Sequence, residues 1–172
     1  MRKITILVVL ASLLCYVGLA EAQQAIFLVR HGDTVRQKGN PDVPLSESGE
    51  RRALALAALL KESGINVIYT TGLQRTVKTA EPLAGLLSIE PKVNPQLRPR
   101  AKPEDIDQFA NRLRTEHRQD IVLVVLHSGS VPALIKALGY PAPIKIPETE
   151  FDNLFAIIPR PESAPTVLRL RY

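Results

Sequence analysis

The chain has 172 residues, of which 45% are hydrophobic and 23% charged, and a net charge of +5. That length supports one domain with a sizeable core, and the composition excludes a disordered chain. No Lys/Arg block stands behind the positive balance and aromatics are only 5%, which argues against nucleic acid; a bland basic surface accounts for the charge as well as a small anionic substrate does.

Residues 1–22 read as a secretory signal peptide. Arg2 and Lys3 form a basic start, Ile4 to Ala20 is an apolar run, and Ala20-Glu21-Ala22 places small residues where a signal peptidase reads. The run is slightly short for a membrane span, which needs about 20 residues. Cleavage after Ala22 would leave a domain at 23–172, in the periplasm or outside the cell, with no stable membrane span. Cys15 lies in the leader, so the domain would have no cysteine and neither disulfide nor thiolate chemistry.

Ala25 to Arg30 is a short apolar run and reads as a buried strand. Gly32 to Leu45, with Gly39, Asn40, Pro41 and Pro44, is a loop. Ser46 is placed to cap a helix to about Ser63, with Glu47 and Glu50 favourable in the first turn and Gly64 as the stop. Asn66 to Thr70 reads as a second strand and Leu73 to Leu87 as a second helix, interrupted by Pro82. Val93 to Leu97 is a short edge strand weakened by Pro95. Pro103 to Glu116 is helical.

Ile121 to Leu126, apolar on both faces, has the pattern of a central parallel strand. Val131 to Leu138 is a helix ended by Gly139, and Phe155 to Ile158 and Val167 to Leu170 are closing strands. The alternation predicts an α/β fold, a three-layer α/β/α sandwich around a mostly parallel central sheet.

Two of the three histidines hold equivalent positions: His31 directly follows the first strand and His127 follows the clearest one. In an open parallel sheet, sites form at the carboxyl ends of strands, so both rings should reach one crevice. Arg30 stands at the same strand end as His31, and Arg75 follows the second strand. Guanidinium groups grip phosphate oxygens and keep their charge at any relevant pH. Gly32 permits close ligand approach, and Ser128-Gly129-Ser130 offers backbone N–H groups. His117, among Arg114, Glu116 and Arg118, reads as a solvated surface residue.

Leu28-Val29-Arg30-His31-Gly32 resembles the Arg-His-Gly signature of the histidine phosphatase superfamily, also called phosphoglycerate mutase-like. Asp42-Val43-Pro44-Leu45-Ser46-Glu47-Ser48-Gly49 is similar to the family's entry to its first helix. Tyr69-Thr70-Thr71-Gly72-Leu73-Gln74-Arg75-Thr76 is similar to its Tyr-Ser-Ser-x-Leu-x-Arg-Thr stretch. Leu126-His127-Ser128-Gly129 is similar to its second histidine strand, and Glu150 to Phe155 to its closing strand.

The resemblance implies that His31 attacks phosphorus to form a phosphohistidine. Arg30, Arg75 and His127 would hold the phosphoryl oxygens, with Gln37 and Ser128 as further substrate contacts. It implies no metal or other cofactor. The family's proton-donating Glu would fall near Leu97-Arg98-Pro99, where this chain has proline. Glu104, Asp105 and Asp33 are the nearby replacements. The short stretch between Arg75 and His127 leaves no room for a large capping insertion, so the pocket should be open and mutase activity is not expected. The expectation is therefore an exported, metal-independent phosphomonoesterase for a small phosphorylated or lipopolysaccharide-type anionic substrate. The alternative is a binding protein that keeps the phosphate pocket with little or no turnover.

Overall fold

The computed structural model describes residues 25–35, 37, 39–160 and 162–172; the signal peptide expected at residues 1–22 lies outside them. Six strands form one sheet: β1 (Ala25–Arg30), β2 (Val67–Thr70), β3 (Lys92–Val93), β4 (Ile121–Leu126), β5 (Asn153–Ile158) and β6 (Thr166–Arg171). Their order is β3-β2-β4-β1-β5-β6. β1 to β4 pair in parallel, while β5 runs antiparallel to both β1 and β6. The helices are α1 (Glu47–Leu60), α2 (Gln74–Leu87), α3 (Pro103–Glu116) and α4 (Ser130–Ala137).

Two cores flank the sheet, as a strand apolar on both faces requires. In β4, Val122, Val124 and Leu126 pack toward Ile106, Phe109 and Leu113 of α3 and Leu134 of α4. Leu123 and Val125 face the other way, toward Leu56 and Leu60 of α1 and Leu83 of α2. This is the expected α/β/α sandwich. No helix among the described residues is long and apolar enough to cross a membrane.

Three local expectations are corrected. The stretch 93–97 is a strand only to Val93, because Asn94 accepts the Gln96 N–H on its side chain and starts a 3-10 turn over Pro95–Leu97. Proline cannot donate to a ladder, so the strand ends there. The helix α2 runs through Pro82 without a break, forfeiting only the bond that residue 82 would have donated. The first helix ends at Leu60, with Lys61 as its C-cap.

The order of strands places the site. From β1 the chain crosses through α1 toward β2 on one side, and from β4 it crosses through α4 toward β5 on the other. α1 packs on one face of the sheet and α4 on the other, so the chain leaves β1 and β4 toward opposite faces, which opens a crevice at their carboxyl ends. Arg30 and Leu126 are in register as the last residues of these strands. The next residues are His31 and His127.

Candidate active site

The two histidines sit side by side because their strands do. The His31 amide donates to Leu126 O at 3.0 Å, and the two rings lie 5.3 Å apart at 64°. Both are buried, as are Arg30 and Arg75. The structure thus brings together four sequence-predicted residues from three strand ends.

His31 is held as a neutral ring with one committed nitrogen. Its Nδ1 lies 2.8 Å from Gly32 O. A carbonyl can only accept, so Nδ1 carries the proton and Nε2 keeps its lone pair. Burial, reinforced by the positive charge of Arg75 and Arg30, lowers the His31 pKa to about 4. Burial likewise lowers His127 to about 3, with His31 and the two arginines adding to the effect. An unprotonated imidazole between two guanidinium groups is a nucleophile suited to an anionic electrophile.

A hydroxyl relay orients His127. Its Nε2 lies 3.2 Å from Thr71 Oγ1, which lies 3.1 Å from Thr76 Oγ1. Thr76 donates in turn to Leu73 O at 2.8 Å. A second hydroxyl ties the His31 loop to the Arg75 helix: Thr79 Oγ1 accepts from Gly32 N at 2.9 Å and donates to Arg75 O at 2.7 Å. The loop also interlocks with α1. A Cβ on Gly49 would stand 2.1 Å from Asp33 O, so only glycine lets the helix start this close to the loop after His31.

Arg75 donates through one terminal nitrogen to Pro41 O at 3.0 Å. Asp42, next to Pro41, accepts from Gln74 N at 2.7 Å and so caps α2 from outside the helix. Arg30 is more heavily engaged. One terminal nitrogen donates to the carbonyls of Pro147, Glu148 and Glu150, and the other donates to Glu148 Oε2 at 3.0 Å. Its guanidinium lies 3.9 Å from the centre of the Phe151 ring. Two buried side-chain polar atoms have no hydrogen-bond partner among the described residues: Arg30 Nε and His127 Nδ1. Both belong to the residues grouped at the crevice. Buried polar atoms without partners are uncommon and call for an explanation.

The remaining sequence-predicted residues are placed differently. Ser128 donates to Glu148 Oε1 at 2.8 Å. Gln37 is exposed, and its Oε1 accepts from Asn40 Nδ2 at 3.0 Å. Asp33 is paired with Arg52 at 2.8 Å, which directs its carboxylate to α1. Glu104 and Asp105 occupy the first turn of α3, and neither lines the cavity beside His127, whereas Pro99 does. His117, expected on the surface, is buried. Asp120 and Tyr69 hold its two ring nitrogens at 2.7 and 2.9 Å, which draws the ring under the helix end.

Sequence reasoning gives no role to Thr71, Thr79, Glu148 or Phe151. Thr71 lies within the resembling stretch, and its place after a strand was the available signal. Phe151 lies within the stretch similar to the closing strand, whereas the only local mark of Glu148 is its position shortly before that stretch. No group of three or more His, Cys, Asp or Glu side chains among the described residues could hold a metal ion.

Comparison with known proteins agrees with this geometry. Residues 26–102 match the model of the histidine phosphatase superfamily, branch 1. Over those residues the chain is similar to that superfamily. It is 41% identical over 78 residues to the probable phosphoglycerate mutase GpmB of Cronobacter sakazakii, covering 42% of this chain and 36% of that protein. The corresponding protein of Yersinia enterocolitica matches with the same identity and coverage. The chain thus spans little more than a third of the length of these relatives.

Among solved structures, the fold is similar to that of the protein histidine phosphatase SixA complexed with tungstate, with a TM-score of 0.71, 21% identity, and coverage of 86% of this chain and 96% of that one. It is also similar to mycobacterial glucosyl-3-phosphoglycerate phosphatase, with a TM-score of 0.66, 16% identity, and coverage of 86% and 98%.

Proposed function

We propose that this protein is a phosphomonoesterase that works through a phosphohistidine on His31. The observation that carries the reading is the state of His31: Nδ1 committed to Gly32 O, a pKa lowered to about 4, and two guanidinium groups nearby. In the first step the His31 Nε2–P bond forms as the bond from phosphorus to the leaving oxygen breaks. Arg75 and Arg30 Nε accommodate the charge on the phosphoryl oxygens, joined by His127 once the arriving anion draws a proton from solvent onto its Nδ1. In the second step water attacks phosphorus, the N–P bond breaks, inorganic phosphate leaves, and the proton lost by water passes to the released ester oxygen through solvent.

The short stretch between Arg75 and His127, which leaves no room for a large capping insertion, supports hydrolysis over mutase transfer. Export through the leader at residues 1–22 completes the proposal and points to phosphorylated envelope or extracellular compounds as substrates, lipopolysaccharide-type phosphates included.

The test is hydrolysis of 4-nitrophenyl phosphate in the presence of a chelator, with alkali-quenched detection of the phosphoenzyme and its loss on acid treatment. The native protein should turn over and trap acid-labile phosphate, and His31→Ala should do neither. Equal activity in His31→Ala would remove the mechanism. Tungstate binding without turnover in the native protein would leave a phosphate-binding protein instead.

A further inference from the structure

Beside His127 the surface sinks into a cavity of about 370 Å³ lined by Pro99, Ala101, Ile106 and Ala133, with Arg100 and Ser128 also on its wall. No Asp or Glu among the described residues lines it. Because it shares His127 with the phosphoryl site, it is the space next to that site in which the rest of a phosphate ester can lie. Its apolar walls suit a compact hydrocarbon body. Among the described residues its one charge is the Arg100 guanidinium.

Three observations single out Arg100. It is exposed. No hydrogen bond or ion pair engages its side chain among the described residues. Its backbone is left-handed, with φ at +65°, a conformation unfavourable for any residue that carries a Cβ. A strained turn thus presents to the cavity a cation with no partner among the described residues. Glu148, which reaches the rim through Ser128, has its charge engaged by Arg30. Pro99 also matters here: a carboxylate at that position would repel an anion, and proline does not.

We infer that Arg100 is a specificity-determining residue, and that the favoured substrates are phosphate esters whose leaving group has an apolar body and a negative charge of its own. This rests on the phosphatase reading above. The phosphoryl group binds at His31, Arg75 and His127, the apolar body fills the cavity, and the second anion pairs with Arg100.

The test compares phenyl phosphate with 4-carboxyphenyl phosphate, esters with the same aromatic ring that differ by a carboxylate. The native protein should favour the carboxylated ester in kcat/KM by roughly five- to tenfold. Arg100→Ala should bring the two esters within about twofold of each other, lowering phenyl phosphate turnover by no more than about threefold. Arg100→Lys should retain part of the preference and Arg100→Glu should reverse it. A preference that survives Arg100→Ala, or no preference in the native protein while both esters are hydrolysed, would overturn the role of Arg100 and leave the phosphatase reading intact. Hydrolysis of neither ester would overturn both.

Discussion

The two ends of β4 each hold a buried histidine, and they are built on opposite plans. At the amino end, His117 has both ring nitrogens committed, to Asp120 at 2.7 Å and to Tyr69 at 2.9 Å. At the carboxyl end, His127 has one nitrogen on Thr71, and Nδ1 has no partner among the described residues. Its neighbour His31 likewise spends one nitrogen on a carbonyl. Cations surround the second pair, whereas a carboxylate braces the first. A satisfied imidazole with an acid beside it is a strut that fastens the end of α3 to the sheet. A half-satisfied one among arginines is prepared to meet an anion. Burial alone does not separate the two, since all three rings are buried; the count of committed nitrogens does.

The contrast breaks most sharply at Arg75. Arg75→Ala should cost about 2–4 kcal/mol of transition-state stabilisation, as loss of an oxyanion donor does. That is a fall of roughly 30- to 1,000-fold in kcat/KM on an aryl phosphate, with a native circular dichroism spectrum. A loss under threefold would remove Arg75 from the site.

His117→Ala should show the reverse split. It strands the Tyr69 hydroxyl and the Asp120 carboxylate in partly buried surroundings, so urea unfolding should reveal a loss of about 2–3 kcal/mol. At a temperature where the variant is folded, kcat should stay within about twofold of native. A large kcat defect with unchanged stability would abolish the distinction between the two ends.

The smallest effect per step is the pH dependence of stability. Native His31 and His127 have pKa values near 4 and 3, while unfolded imidazoles titrate near 6.5. Below about pH 6.5 the unfolded chain binds protons that the native rings refuse. Stability is therefore fully present above that pH and declines as pH falls toward 4, by up to about 1.4 kcal/mol per pH unit for each ring. Urea titrations at pH 5 and 7 measure the slope. The His31→Ala variant should show a shallower one, and a slope equal to native would mean that His31 is not held neutral by the fold.

Much of this was legible in the sequence because it depends on local signals. β4 announces itself by six consecutive apolar residues. Ser46 caps α1 and accepts from Gly49 N. Strand ends identify His31 and His127, and the loop after the second strand brings in Arg75. What was illegible depends on partners distant in the chain. His117 lies in a charged stretch and looks solvated, yet Tyr69, 48 residues away, draws it inside. Glu148 stands 118 residues from Arg30. A strong α-helix signal outweighed Pro82, whereas Pro95, in a segment with little strand signal, gave way to a turn.

Glu148 changes what it means for an anion to arrive. Its carboxylate spans Arg30 and Ser128, two groups that the sequence assigns to the substrate, and it is itself 81% exposed to solvent. A phosphate that takes those donors does not add charge to a bare cationic site; it trades places with a resident anion on a flexible side chain. The occupancy of the two donors is then set by competition between an internal acid at fixed local concentration and an external one at whatever concentration the surroundings supply. Whenever an external anion departs, the internal one is at hand to refill the position.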